Sequence, residues 1–93
     1  MIDFAALGRR FAAHPDLMTR PMGAMSADDI RLMACLFWDK PSVDLAFVGQ
    51  ELAQIDLLQT PVREMSKAQI RALQGVFREG VNLWEAAHDE IPF

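Results

Sequence analysis

At 93 residues, 52% of them apolar and including six Phe, two Trp and six Met, the chain can build one small hydrophobic core, which excludes disorder over most of its length. A single cysteine excludes an intramolecular disulfide framework, and no apolar run approaches the length of a membrane span. The net charge of −4 is concentrated at one end, because Trp84–Phe93 holds Glu85, Asp89 and Glu90 and no Lys or Arg.

The elements are all helical in pattern. Asp3 can cap a first helix whose apolar face is Phe4, Leu7, Gly8 and Phe11, at the i, i+3, i+4, i+7 spacing. Arg9 and Arg10 then face water, and His14-Pro15 ends the helix, since a residue before proline is driven from helical geometry. A loop through Asp16, Thr19, Pro21 and Gly23 follows. The second helix runs from Ser26 to about Asp39, with Ile30, Met33, Ala34 and Phe37 inward, and stops at Lys40-Pro41. Cys35, among Leu32, Met33, Leu36 and Phe37, reads as a small buried hydrophobe. Ser42 or Asp44 caps a third helix with the face Leu45, Val48, Gly49, Leu52 and Ile55. The fourth helix starts at Ser66. No proline interrupts its face of Ile70, Leu73, Phe77, Val81 and Trp84, so it extends to about His88 and is the longest element.

Two helix starts carry the same signature. In Met25-Ser26-Ala27-Asp28-Asp29-Ile30-Arg31 and Met65-Ser66-Lys67-Ala68-Gln69-Ile70-Arg71, the serine caps the helix and Asp29 or Gln69 completes a capping box. Met25 and Met65 are placed to staple onto Ile30 and Ile70. The match continues upstream through Pro21 and Pro61, then Thr19 and Thr60 once Arg20 is taken as an insertion. It extends through Leu17 and Leu58 and through Ile2–Gly8 and Val43–Gly49. Downstream it reaches Phe37 and Phe77. Shared apolar spacing alone would not reproduce Gly, Pro, Thr, Ser and Arg, so the chain reads as an internal duplication. The expected architecture is an all-α single domain, a four-helix bundle of two tandem helix–loop–helix repeats (about 2–42 and 43–83) with pseudo-two-fold symmetry, followed by an extension, 84–93.

Gly8 and Gly49 fall mid-helix at equivalent positions, where close approach of a second helix is the simplest compensation. Arg31 and Arg71 are also matched; a shared acidic partner, with Asp3 and Asp44 as candidates, is weighed against simple descent from one unit. Catalytic and metal chemistry is not evident. His14 and His88 lack ligand-spaced companions, no glycine-rich phosphate loop follows a strand, and Asp28 and Asp29 diverge on their helix, so no catalytic residue, metal or cofactor is expected. Direct nucleic-acid binding is also disfavoured. The inter-helix loops are longer than a helix-turn-helix allows, the body is nearly neutral, and Asp28 and Asp29 occupy the turn that would meet phosphates, which leaves Arg9, Arg10 and Arg20 as the patch to consider.

The chain closes on Asp89-Glu90-Ile91-Pro92-Phe93. This segment resembles the acidic C-terminal tip of bacterial single-stranded DNA-binding proteins. In that family the tip docks onto genome-maintenance proteins such as exonucleases, primosomal helicases and recombination mediators. The resemblance implies that Asp89, Glu90, Ile91, Pro92 and Phe93 bind a protein partner, with Phe93 filling an apolar pocket and the two acids meeting a basic rim. It covers only these residues; the body shows no likeness to that family's nucleic-acid-binding barrel. The alternative is that Pro92 ends the fourth helix while Ile91 and Phe93 fold onto the core.

These observations lead to the expectation of a cytoplasmic, non-enzymatic protein–protein interaction module without membrane attachment, encoded by a phage or mobile element, that engages tip-binding proteins. A compact helical inhibitor of a host defence nuclease or CRISPR complex is a second expectation. A small structural subunit of an oligomer is a third, and a homodimer is compatible with all three.

Overall fold

A computed structural model describes residues 4–88, and within them every regular element is helical. The order is α1 (Phe4–Ala12), α2 (Pro15–Thr19), α3 (Ala27–Trp38), α4 (Leu45–Gln54) and α5 (Lys67–His88), with 3₁₀ turns at Met22–Ala24 and Val62–Glu64. None of these helices is long and apolar enough to cross a membrane.

Both serine caps form as full boxes. The Asp29 N–H donates to Ser26 Oγ (3.2 Å) and the Ser26 N–H to Asp29 Oδ2 (3.2 Å); the Gln69 N–H donates to Ser66 Oγ (3.1 Å) and the Ser66 N–H to Gln69 Oε1 (2.8 Å). Each box satisfies two backbone donors that a helix start otherwise leaves open. The approach to the two starts is alike as well. Pro21 and Pro61 adopt φ, ψ of −61°, 147° and −62°, 149°, and Met25 and Met65 adopt −85°, 146° and −80°, 144°. Of the two proposed caps for α4, Asp44 is the one used: its Oδ1 accepts the Phe47 N–H at 3.0 Å.

The segment expected as a loop after α1 contains an additional short helix, α2. Pro15 plays both parts: it ends α1 through the restriction on His14, and its fixed φ suits the first turn of α2. The corresponding stretch after α4 is turned differently. Asp56 takes φ 60°, the Leu57 N–H reaches back to the Leu52 carbonyl (2.9 Å) and the Asp56 N–H to the Ala53 carbonyl (3.3 Å), the pattern of a Schellman stop. Leu52 and Leu57 are both buried, supplying the apolar contact that accompanies it. Leu17 of α2 and Leu57 beyond the stop of α4 are both buried.

The core is a continuous cluster. Phe11, Phe37 and Phe77 form an aromatic row with centroid spacings of 5.4 and 5.5 Å, linking α1, α3 and α5. Met33 and Leu73, at matched positions of α3 and α5, are fully enclosed. Trp38 ties α3 to α5 by donating Nε1–H to the Gln74 carbonyl at 2.9 Å, while Arg78 stands 4.9 Å above its ring. Ile55, expected to face inward, follows the last turn of α4 and is exposed. Cys35 is half-buried, not enclosed.

The glycines correct one expectation outright. A Cβ on Gly8 or Gly49 would meet nothing within 4 Å, so no helix approaches closely at either. The close approach occurs at Gly80, where a Cβ would lie 2.7 Å from Val43 Cγ2 and 2.9 Å from Val48 Cγ2. The expectation for the arginines also changes. Arg31 pairs with Asp28 in its own first turn (3.1 Å), Asp44 is occupied as a cap, and Arg71 lies over the Phe4 ring at 5.4 Å. Asp3, the other candidate partner and the expected cap of α1, lies outside the described residues.

Candidate functional site

All five residues expected to bind a partner, Asp89, Glu90, Ile91, Pro92 and Phe93, lie outside the described residues. What the structure defines is the helix that carries them. The last enclosed side chain of α5 is Val81; beyond it Leu83 is exposed, Glu85 pairs with Lys40 (2.8 Å), and Trp84 stacks on His88 with centroids 3.9 Å apart. His88 Nδ1 lies 2.8 Å from the Trp84 carbonyl, which locks the pair across the final turn.

The described residues bring together no group of three or more His, Cys, Asp or Glu side chains able to hold a metal. The proposed basic patch is partly spent on ion pairs. Arg10 pairs with Asp39 and also donates to the Cys35 carbonyl (3.1 Å), and Arg20 pairs with Asp29 at 2.6 Å.

A surface feature that the sequence reading missed lies at the seam between the halves. Here the 3₁₀ turn of one half packs beside the first helix of the other. The Gly23 N–H donates to the Leu58 carbonyl across the seam (2.9 Å), and on the other side α2 packs against the turn Val62–Glu64. Each junction leaves an apolar hollow. The first, about 170 Å³, is walled by Phe4, Leu7, Gly8 and Phe11 of α1 and closed by Met18, Val62, Arg63, Met65 and Ile70. The second, about 300 Å³, is walled by Leu45, Val48, Gly49 and Leu52 of α4 and closed by Leu58, Met22, Gly23, Met25 and Ile30.

The two linings correspond position by position. Phe4 matches Leu45, Leu7 matches Val48, Gly8 matches Gly49 and Phe11 matches Leu52; Met18 and Leu58 take equivalent places in the two linings, and the turn residues Val62, Arg63 and Met65 match Met22, Gly23 and Met25. Gly8 and Gly49 therefore have a geometric role, although not the expected one: without a Cβ, each leaves the wall of its hollow open. A matched pair of mid-helix glycines was the available signal. The sequence could not show that each faces a turn from the other half.

Charge separates the hollows. Arg63 lines the first, and Lys67 Nζ and Arg71 Cζ stand over the ring of Phe4, one of its wall residues, at 5.6 and 5.4 Å from the centroid, with Glu64 as the adjacent acid in the chain. At the matched positions the second hollow has Gly23, Ala27 and Arg31, the last already paired with Asp28. No protein-family model, curated protein or solved structure matches this chain.

Proposed function

We propose that this chain is a non-enzymatic protein-interaction module whose segment Asp89–Phe93 docks onto proteins that recognise the tip of single-stranded DNA-binding proteins. The observation that carries the reading is the course of α5. It continues unbroken to His88, two turns past its last enclosed side chain, and so carries the chain beyond the packed core just before two acids and the apolar triplet. Such a segment suits an apolar pocket with a basic rim, and Pro92 limits the backbone freedom lost on docking.

The body that presents it is, in this reading, a four-helix bundle of two tandem helix–loop–helix repeats about a pseudo-two-fold axis, with α2 as an added turn in the first repeat. The paired capping boxes, the equal dihedral angles at Pro21 and Pro61, and the corresponding linings of the hollows support duplication. Independent convergence on two amphipathic hairpins would not require the same turn chemistry at the same register.

The test is competition. A purified tip-binding exonuclease or primosomal helicase is titrated with the full chain, with its Phe93→Ala variant, and with a peptide copy of the tip of a single-stranded DNA-binding protein. The proposal expects binding by the full chain, displacement by the peptide and loss with Phe93→Ala. Equal binding by the Phe93→Ala variant would overturn it.

A second reading, action through the helical surface, rests on the hollows themselves. Gly49→Leu fills the larger one without touching the tail, so partner loss with that variant and not with Phe93→Ala selects this reading.

A further inference from the structure

The cationic hollow and the C-terminal segment are complementary in both charge and apolar content. We infer that the hollow between α1 and the start of α5 receives Asp89–Phe93 of a second copy of this chain, seating Phe93 or Ile91 against Phe4, Leu7 and Ile70 while Asp89 and Glu90 face Arg63, Lys67 and Arg71. This rests on the reading of Asp89–Phe93 as a docking segment.

Three observations select this occupant. The first is charge. Arg63 lines the apolar hollow and two further cations, Lys67 and Arg71, stand over the Phe4 ring that walls it, while the segment presents two acids next to an apolar triplet. The matched hollow, built on the same plan, lacks the cations at two of these three positions and has the third paired. The second is size. A space of about 170 Å³ is close to the roughly 150 Å³ cavity that accepts a benzene ring, so one aromatic or branched side chain fills it.

The third is reach. At the standard rise, Arg71 and His88 are about 25 Å apart along α5. Asp89 and Glu90 follow His88 directly and reach at most about 7 Å beyond it, so they cannot face Arg71, about 25 Å back along the helix, in their own molecule. The contact is therefore made between copies. Mutual exchange of tails gives a closed pair, and one-way docking gives an open chain. In either arrangement the segment is withheld from other partners until the copies separate.

The probe is a labelled peptide of sequence Trp84–Phe93, titrated by fluorescence anisotropy into the full chain carrying Phe93→Ala, which removes competition from its own tail. Sedimentation velocity over a concentration series follows the unmodified chain in parallel. The peptide is expected to bind more weakly as salt rises, because exposed charges are screened. Gly8→Leu, which fills the cationic hollow at a position with free space, is expected to weaken binding by about tenfold or more, as loss of an anchor pocket does. Arg63→Glu is expected to weaken it as well, with partial rescue by a peptide carrying Lys at 89 and 90. Gly49→Leu is expected to leave binding unchanged.

Absence of peptide binding, or equal loss with Gly8→Leu and Gly49→Leu, overturns the inference, provided that thermal melting shows both variants folded. The outcome is separable from the function proposed above. If the peptide ignores this chain but still competes on the exonuclease or helicase, self-docking fails and partner docking stands. If it does neither, both fail.

Discussion

The backbone N–H of Asp44 donates to the carbonyl oxygen of Gly80 at 3.0 Å, joining the residue that caps α4 to the middle of α5. The contact requires the two backbones to lie close together, and glycine permits this because a Cβ at position 80 would lie 2.7 and 2.9 Å from methyl groups of Val43 and Val48. Gly80→Ala is therefore expected to destabilise the fold. Alanine gains about 1 kcal/mol in helix propensity, but overpacking against two buried valines costs about 1–3 kcal/mol and should exceed it. Urea denaturation monitored by circular dichroism reads the difference.

The opposite sign is expected at Gly8 and Gly49. A Cβ at either meets nothing within 4 Å, so alanine should stabilise by up to about 1 kcal/mol through helix propensity and a less flexible unfolded chain. Raised denaturation midpoints in both variants, set against a lowered one for Gly80→Ala, would separate close packing from sequence position as the reason for glycine.

Ser26→Ala and Ser66→Ala should each cost about 1 kcal/mol, the usual loss for a serine cap. Asp29 also accepts from Arg20 at 2.6 Å, whereas among the described residues Gln69 bonds only within the cap. Asp29→Ala should therefore exceed Gln69→Ala in cost by a few tenths of a kcal/mol, since the half-exposed ion pair adds little. Thermal melts of the four variants in one buffer test the ordering.

Asp56 holds φ 60° in the Schellman stop of α4, a conformation that costs a side-chain-bearing residue about 1 kcal/mol and a glycine almost nothing. Asp56→Gly is expected to stabilise by about 0.5 kcal/mol, the remainder being lost to the more flexible unfolded state. A lowered midpoint in chemical denaturation would contradict the assignment.

Trp38→Phe keeps an aromatic ring near the core but removes part of the indole together with the bond from Nε1 to the Gln74 carbonyl, so a loss of at least about 1 kcal/mol is expected. The same variant leaves Trp84 as the sole indole, so its fluorescence reports the last turn of α5 directly. Unfolding that begins in this turn should appear as a change in Trp84 emission at lower denaturant than the loss of helix signal.

The chain's local instructions are strong enough to be read without a structure. Ser26 and Ser66 cap helices because a hydroxyl and the backbone donors it satisfies lie within one turn, and α5 runs to His88 because no proline interrupts its apolar face. The two capping boxes that follow Met25 and Met65 were legible for the same reason, since capping is an interaction between near neighbours. The loop reading of Pro15–Thr19 failed because five residues carry too little periodicity to separate a helix turn from a bend; the helical bond from the Arg20 N–H to the Asp16 carbonyl (3.1 Å) distinguishes them.

What the tertiary structure alone decided is which matched residues meet. Gly8 and Gly49 looked like contact points, yet they open hollows, and the contact glycine is Gly80, whose neighbours Val43 and Val48 are far from it in sequence. Lys67 and Arg71 stand over Phe4, and Arg63 lines the same hollow, because the second half's turn and helix start come beside the first half's α1. Helix period and capping act over a few residues and are written in order along the chain. The hollows and their charge arise where segments roughly twenty to sixty residues apart are packed together, and no local pattern encodes that neighbourhood.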